Sequence, residues 1–297
     1  MHRRGLWLAA WALGCVLGSA WWVAQSMAES RNAFETDARI AHRLLSQRAV
    51  QHEAVLSTLS LMQPAVDARL PAIYPQFLHM WRRTASQPWP ADAALAQALA
   101  AAERRPGQPE LVRADLAQGR FWIAMAPPPG SLPEAASYAL EVSLPLMVPW
   151  ADWPFGDSPT AGAARTTRAW LAHGDARWAM HGSPAGFELG RFTFSKHLAA
   201  ASQPFDMVAE RSYGLADVPW VTVGVWLLAW TLALLALASA LQQRRARQRA
   251  EDLLRLGQVS RLNALGELAA GLAHELNQPL TAVLASTQAT VRLLADD

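Results

Sequence analysis

Two uncharged apolar runs constrain the fold of this 297-residue chain more than any other feature. The first spans Gly5 to about Gln25 and is rich in Leu, Val and Trp; the second spans Val218 to Leu241. Each is long enough to cross a bilayer once as a helix, which satisfies every backbone polar group within its own segment. Arginines stand on the outer flank of each run: Arg3 and Arg4 before the first, Arg244, Arg245, Arg247 and Arg249 after the second. The positive-inside rule therefore places both termini in the cytoplasm and residues 26–217 on the far side of the membrane. Trp220, near the outer end of the second run, suits the membrane interface. The Arg-rich start also resembles a signal peptide, and Ala12-Leu13-Gly14-Cys15 is a poor fit to a lipoprotein cleavage site. Apolar character that continues through Trp21, Trp22 and Val23 is long for a signal core, so an uncleaved anchor is expected. Cys15, the only cysteine, then lies in lipid, and the outer domain must be stable without an intramolecular disulfide. A net charge of +2 is too small to point to nucleic acid.

The interval 26–217 can bury a core of its own. From about Arg31 to Gln63, Ala38, Ala41, Leu45, Ala49, Leu56 and Leu59 fall on one helical stripe, interrupted by His52 and stopped at Pro64. This helix is expected to continue directly from the first membrane segment. A shorter helix is expected over Ala91 to Glu103, before the loop Pro106-Gly107-Gln108-Pro109. Strand signals come next. Leu111–Leu116 and Arg120–Met125 flank a turn, as do Thr166–Ala172 and Arg177–Met180. Tyr138–Val142, Phe187–Phe194 and Phe205–Ala209 read as further strands, and Pro145 and Pro149 limit any strand directly after Val142. Helices followed by an antiparallel sheet indicate an α+β domain. Arg165, Arg168, His173 and Arg177 lie close in sequence and could hold an anion, although a solvated hairpin is the better account of them. Trp150, Trp153 and Phe155 suit either a pocket wall or core packing. His173 and His181 lack companions at metal-ligand spacing, so no metal site is expected.

Beyond Leu241 the apolar pattern changes period. Leu262, Leu265, Ala269, Leu272 and Leu276 alternate spacings of three and four, the seam of a helix that packs against another helix. Leu253, Leu256 and Val259 lie upstream and out of register with that seam. The connection from Leu241 is too short for a globular module, so the membrane helix is expected to run straight into the seam helix. With Leu262 at position a, His274 falls at f and faces solvent. Glu275 follows at once. Pro279 removes a backbone N–H, which deprives the Glu275 carbonyl of its helical donor and should bend the helix. A neutral imidazole is a competent nucleophile near neutral pH, and an adjacent carboxylate can take up a ring proton. A zinc-protease helix would need a second histidine where Gln278 stands, so that chemistry is excluded here.

The run Gly266-Glu267-Leu268-Ala269-Ala270-Gly271-Leu272-Ala273-His274-Glu275-Leu276-Asn277-Gln278-Pro279-Leu280 resembles the phosphoacceptor box of two-component sensor histidine kinases. The resemblance implies that His274 accepts the γ-phosphoryl group of ATP. It implies Glu275 as the general base and Gln278 as a residue that positions water when the response regulator is dephosphorylated. It also implies ATP and Mg as phosphodonor, a homodimer, a response regulator receiver domain and an extracytoplasmic ligand of unknown identity. The implied fold is two transmembrane helices flanking a PAS-like or CHASE-like α+β sensor domain in the periplasm of a bacterial inner membrane. The expected segments are a cytoplasmic N-terminus over 1–4, transmembrane helix 1 over 5–25 and the sensor domain over 26–217. Transmembrane helix 2 over 218–241 follows, then a cytoplasmic signalling helix over 242–261 and a partial phosphoacceptor domain over 262–297. Neither the second helix of the family's phosphoacceptor hairpin nor an ATP-binding domain is legible, so an ATP-binding domain in trans, or a truncated kinase, is expected. The alternatives are a catalytically inactive transmembrane receptor and a tethered ligand-binding protein.

Overall fold

The computed structural model describes residues 2–61, 70–84, 88–89, 92–131, 135–155, 167–182 and 188–295. In chain order the elements are α1 (His2–Leu61), α2 (Leu70–Ile73), β1 (Phe77–Arg83), α3 (Ala93–Ala102), β2 (Glu110–Asp115), β3 (Arg120–Met125) and β4 (Ser137–Ser143). Then come α4 (Leu144–Met147), β5 (Thr167–His173), β6 (Ala176–His181), β7 (Gly190–His197), β8 (Asp206–Tyr213) and α5 (Trp220–Ala295). Two compact units result: residues 1–18 with 224–297, and residues 19–223.

In the larger unit, the apolar stripe on α1 is the spine of the core. Phe34, Ala38, Ala41, Leu45, Ala49, Leu56 and Leu59 are all buried. Against it lie two antiparallel sheets of four strands each, ordered β1-β4-β3-β2 and β6-β5-β8-β7. A single sheet is the simpler expectation from the strand signals, and it is wrong. The strands divide because β1 pairs with β4, while β5 pairs with β8 on one side and β6 on the other. Strand β1 carries little alternation and gives no sequence signal.

The two faces of the first sheet have different partners. Phe121, Ile123 and Met125 alternate along β3 with Trp122 and Ala124. The first set joins the α1 core; the second packs with Leu95, Leu99 and Ala102 of α3. Covered on both faces, β4 is buried almost throughout. Helix α3 starts at Asp92, whose carboxylate accepts from the N–H groups of Ala94 and Leu95 at 3.0 and 3.2 Å. Such a cap stabilises a helix by about 1 kcal/mol. Both expected hairpins form, and Gly119 and Gly174 supply the positive φ (67° and 57°) that their turns need. Strand β7 begins later than its sequence signal and extends to His197. Gln63, Pro64, Ala91, Arg165, Thr166 and Phe187 lie outside the described residues.

In the smaller unit, the first turns of α1 pack against the apolar part of α5. Trp226 and Trp230 stack with ring centroids 6.0 Å apart. They lie against Gly18 and Gly14 respectively, so closely that a Cβ at either glycine would overlap an indole ring. Trp226 Nε1 donates to the Gly14 carbonyl at 3.2 Å, and Trp11 Nε1 donates to Thr231 Oγ1 at 3.0 Å. The Gly14-x-x-x-Gly18 notch thus admits the two indoles, in the manner of small residues at intramembrane helix contacts. Leu6, Leu8, Leu13, Leu228, Leu232 and Leu235 point outward. Both α1 and α5 are long and apolar enough to cross a membrane.

Candidate phosphoacceptor site

His274, Glu275 and Gln278 all lie on α5, which continues unbroken through Pro279 to Ala295. Every side chain described from Gln242 to Gln288 is exposed. That includes Leu262, Leu265, Leu272 and Leu276, each at least 60% exposed. An isolated helix does not leave a regular apolar seam in water without cost; burial of each leucine would contribute about 1.5–3 kcal/mol. The seam is therefore an exposed apolar surface among the described residues.

On the helix face away from that seam, His274 stands one turn before Gln278 and borders an open groove of about 480 Å³. Asn277, Thr281, Ala282 and Ala285 complete the lining. The groove exists because Ala282 and Ala285 are small where the preceding turn carries longer polar side chains. Thr281 Oγ1 turns back to donate to the Asn277 carbonyl at 2.7 Å, which draws its polar end onto the backbone. Glu275 is not among the lining residues: consecutive helical residues diverge by about 100°. Among the described residues none hydrogen-bonds to the side chains of His274, Glu275 or Gln278. The imidazole and the amide thus share a face, and the carboxylate flanks it. An in-line reaction at the ring is sterically open, and the carboxylate can reach a ring proton only through a side-chain swing or a water molecule.

The other residues that the sequence brings forward separate. Arg168 sits beside Gly182, whereas Arg177 pairs across the ladder with Ala172 at the opposite end of the β5–β6 hairpin. Arg177 lies over the Trp170 ring at 5.7 Å, and His173 Nδ1 donates to the Pro204 carbonyl at 3.0 Å. These three are not one anion site. Trp153 and Phe155 are core residues, with ring centroids 5.8 Å apart, and Phe155 packs against Phe34. Trp150 is half exposed and donates to the Pro145 carbonyl at 2.8 Å. Among the described residues no group of three His, Cys, Asp or Glu side chains could hold a metal ion.

Two features are not legible in the sequence pattern. His52 is fully buried, and burial lowers its pKa from 6.5 to about 4. Its place on an otherwise apolar stripe is the only local sign of this. A second groove, of about 940 Å³, runs between α1 and β7. Its basic residues Arg39 and Arg43 lie one helical turn apart, but Lys196 is far away in sequence and gives no sign of joining them.

No protein-family model matches this sequence, and no curated protein matches it either.

Proposed function

We propose that this chain is the sensory and phosphoacceptor portion of a membrane-bound histidine kinase in a two-component phosphorelay. One observation carries the reading: within the His274-Glu275-Leu276-Asn277-Gln278-Pro279 run, His274 and Gln278 share an exposed helix face with Glu275 at its flank, while Leu276 belongs to the exposed apolar seam on the other side. The seam supports a homodimer, in which the helices cover one another and leave His274 outward. The two apolar helices with arginine flanks support a two-pass topology in the bacterial inner membrane, with both termini cytoplasmic and a periplasmic sensor domain, PAS-like or CHASE-like, between them.

The transfer forms an N–P bond on the His274 ring as the bond to the departing ADP oxygen breaks; Glu275, as base, receives the proton lost by the other ring nitrogen. Such a transfer depends chiefly on in-line positioning and charge neutralisation. The groove beside His274 carries no Lys or Arg to neutralise a triphosphate, and no acidic cluster for Mg is found among the described residues. ATP and Mg are therefore assigned to a separate kinase catalytic domain, and His274 to the role of acceptor. The phosphoryl group then passes to an Asp of a response regulator receiver domain, and Gln278 is the residue that orients water when that aspartyl phosphate is later hydrolysed to Asp and inorganic phosphate.

The test is incubation of the purified chain with labelled ATP and a complementary kinase catalytic domain. An acid-labile, base-stable label is expected, abolished by His274→Gln. Glu275→Gln should slow labelling by about a hundredfold or more if the carboxylate is the base. Label that survives in His274→Gln refutes the assignment, and no label in any combination favours a non-enzymatic receptor.

A further inference from the structure

The groove between α1 and β7 is a built feature of the larger unit. Its helical wall is the stripe Arg39, His42, Arg43, Ser46, Gln47 and Val50; its opposite wall is Phe194, Lys196 and Ala199. The walls are locked together behind the groove. His42 Nε2 lies 2.7 Å from the His197 carbonyl, which can only accept, so this nitrogen carries the proton and donates. Ala199 N–H donates to Ser46 Oγ at 3.2 Å, and the His42 ring packs edge-on against Phe194. The geometry therefore does not depend on a ligand to form it, a condition for affinity without a large ordering cost.

The chemistry of the groove is uneven. Its lining is more apolar than polar and includes Val50 and Phe194. Its rim is cationic. Arg39 is ion-paired with Glu35 at 2.8 Å. Arg43 and Lys196 have no ion-pair partner among the described residues, although they border the same space from opposite walls. A second copy of this chain docked symmetrically here would bring the same cations face to face, which opposes association. An anion with an apolar body satisfies both walls: its charged group between Arg43 and Lys196, its body on Phe194 and Val50. The volume suits a small organic molecule.

We infer that this groove binds a small amphipathic organic acid, held by charge-assisted hydrogen bonds from Arg43 and Lys196. The inference concerns residues 19–223 alone and does not depend on the chemistry of His274. It is tested with the full chain in nanodiscs of neutral phosphatidylcholine, by saturation-transfer NMR with benzoate and with its neutral analogue benzamide. Benzoate should bind saturably and more tightly than benzamide, and its affinity should fall as salt is raised. Arg43→Gln with Lys196→Gln should weaken benzoate binding about tenfold or more, whereas Arg104→Gln, distant from the groove, should leave it unchanged. Lys196→Gln alone, on the exposed edge strand, should give an intermediate loss. The inference is overturned if benzoate shows no saturable binding, if benzamide binds as well, or if the double variant binds as the wild type does. Labelling of His274 is read in a separate assay, so failure here leaves the phosphoacceptor reading standing, and the reverse holds too.

Discussion

Replacement of His52 by leucine should flatten the acid side of the stability profile of the larger unit. His52 is enclosed by α1, by Phe77 and Phe121 of the first sheet, and by Gln203 from the segment between β7 and β8. Gln203 Nε2 donates to the Ala49 carbonyl at 2.9 Å, which turns its Oε1 toward His52. Nδ1 of His52 is therefore the protonated nitrogen, in a long 3.4 Å contact, and buried Nε2 has no partner. A second proton would place an N–H with positive charge in an apolar core. Burial is accordingly the main cause that lowers the pKa from 6.5 to about 4, with Arg48 adding repulsion and the Gln203 contact opposing. Well above pH 6.5 the ring is neutral in both states and adds no pH dependence, although its unpartnered Nε2 still carries a desolvation cost. Below pH 6.5 the unfolded chain takes a proton that the folded chain refuses, so stability falls until pH reaches about 4. At 1.36 kcal/mol per pH unit, the fall from 6.5 to about 4 amounts to roughly 3 kcal/mol. Asp37, whose carboxyl burial raises, acts in the opposite direction but is common to both proteins. Urea unfolding followed by tryptophan fluorescence at pH 7 and pH 4 should show the wild type losing roughly 3 kcal/mol more than His52→Leu. Equal losses in the two proteins would refute the reasoning.

Two further perturbations address the helices. Leu265→Asp with Leu272→Asp removes two seam contacts from each helix and should weaken self-association at least about a hundredfold, seen as a fall in mass by light scattering; an unchanged mass with intact helicity contradicts a cytoplasmic helix dimer. Gly18→Ala should overlap Trp226 and cost about 1–3 kcal/mol in resistance to denaturing detergent. Gly224→Ala, where a Cβ meets nothing, should be neutral or slightly stabilising, and similar behaviour of the two variants would show that the notch is not a close contact.

Local periodicity is sufficient for every element whose information is short-range. The stripe from Ala38 to Leu59, the two glycine turns, the short helix α3 and the spacing of Leu262 to Leu276 each lie within a window of one element. The helical face of His274 relative to that seam is likewise read from spacing, although its exposure is shared by every described side chain from Gln242 to Gln288 and does not single it out. Resemblance, rather than periodicity, supplied the chemistry attached to it.

What the sequence determined by itself is therefore helices α1, α3 and α5, the two hairpins, the two apolar spans, and the face on which His274 stands, because each depends on neighbours within a few turns of chain; the one-turn helices α2 and α4 carry no such signal. Tertiary structure alone decided the rest. It split the strands into two sheets and inserted β1 beside β4, a pairing that no local pattern in Phe77–Arg83 announces. It buried His52 with one nitrogen unmatched, and it drew Lys196 to Arg43 across the groove from α1. It also dispersed Arg168 and Arg177, near neighbours in the chain, to opposite ends of a hairpin. The reason is common to all of these. Strand pairing and helix–sheet packing select partners by fit over long chain separations, and a side chain's charge environment is set by those partners rather than by its place in the sequence.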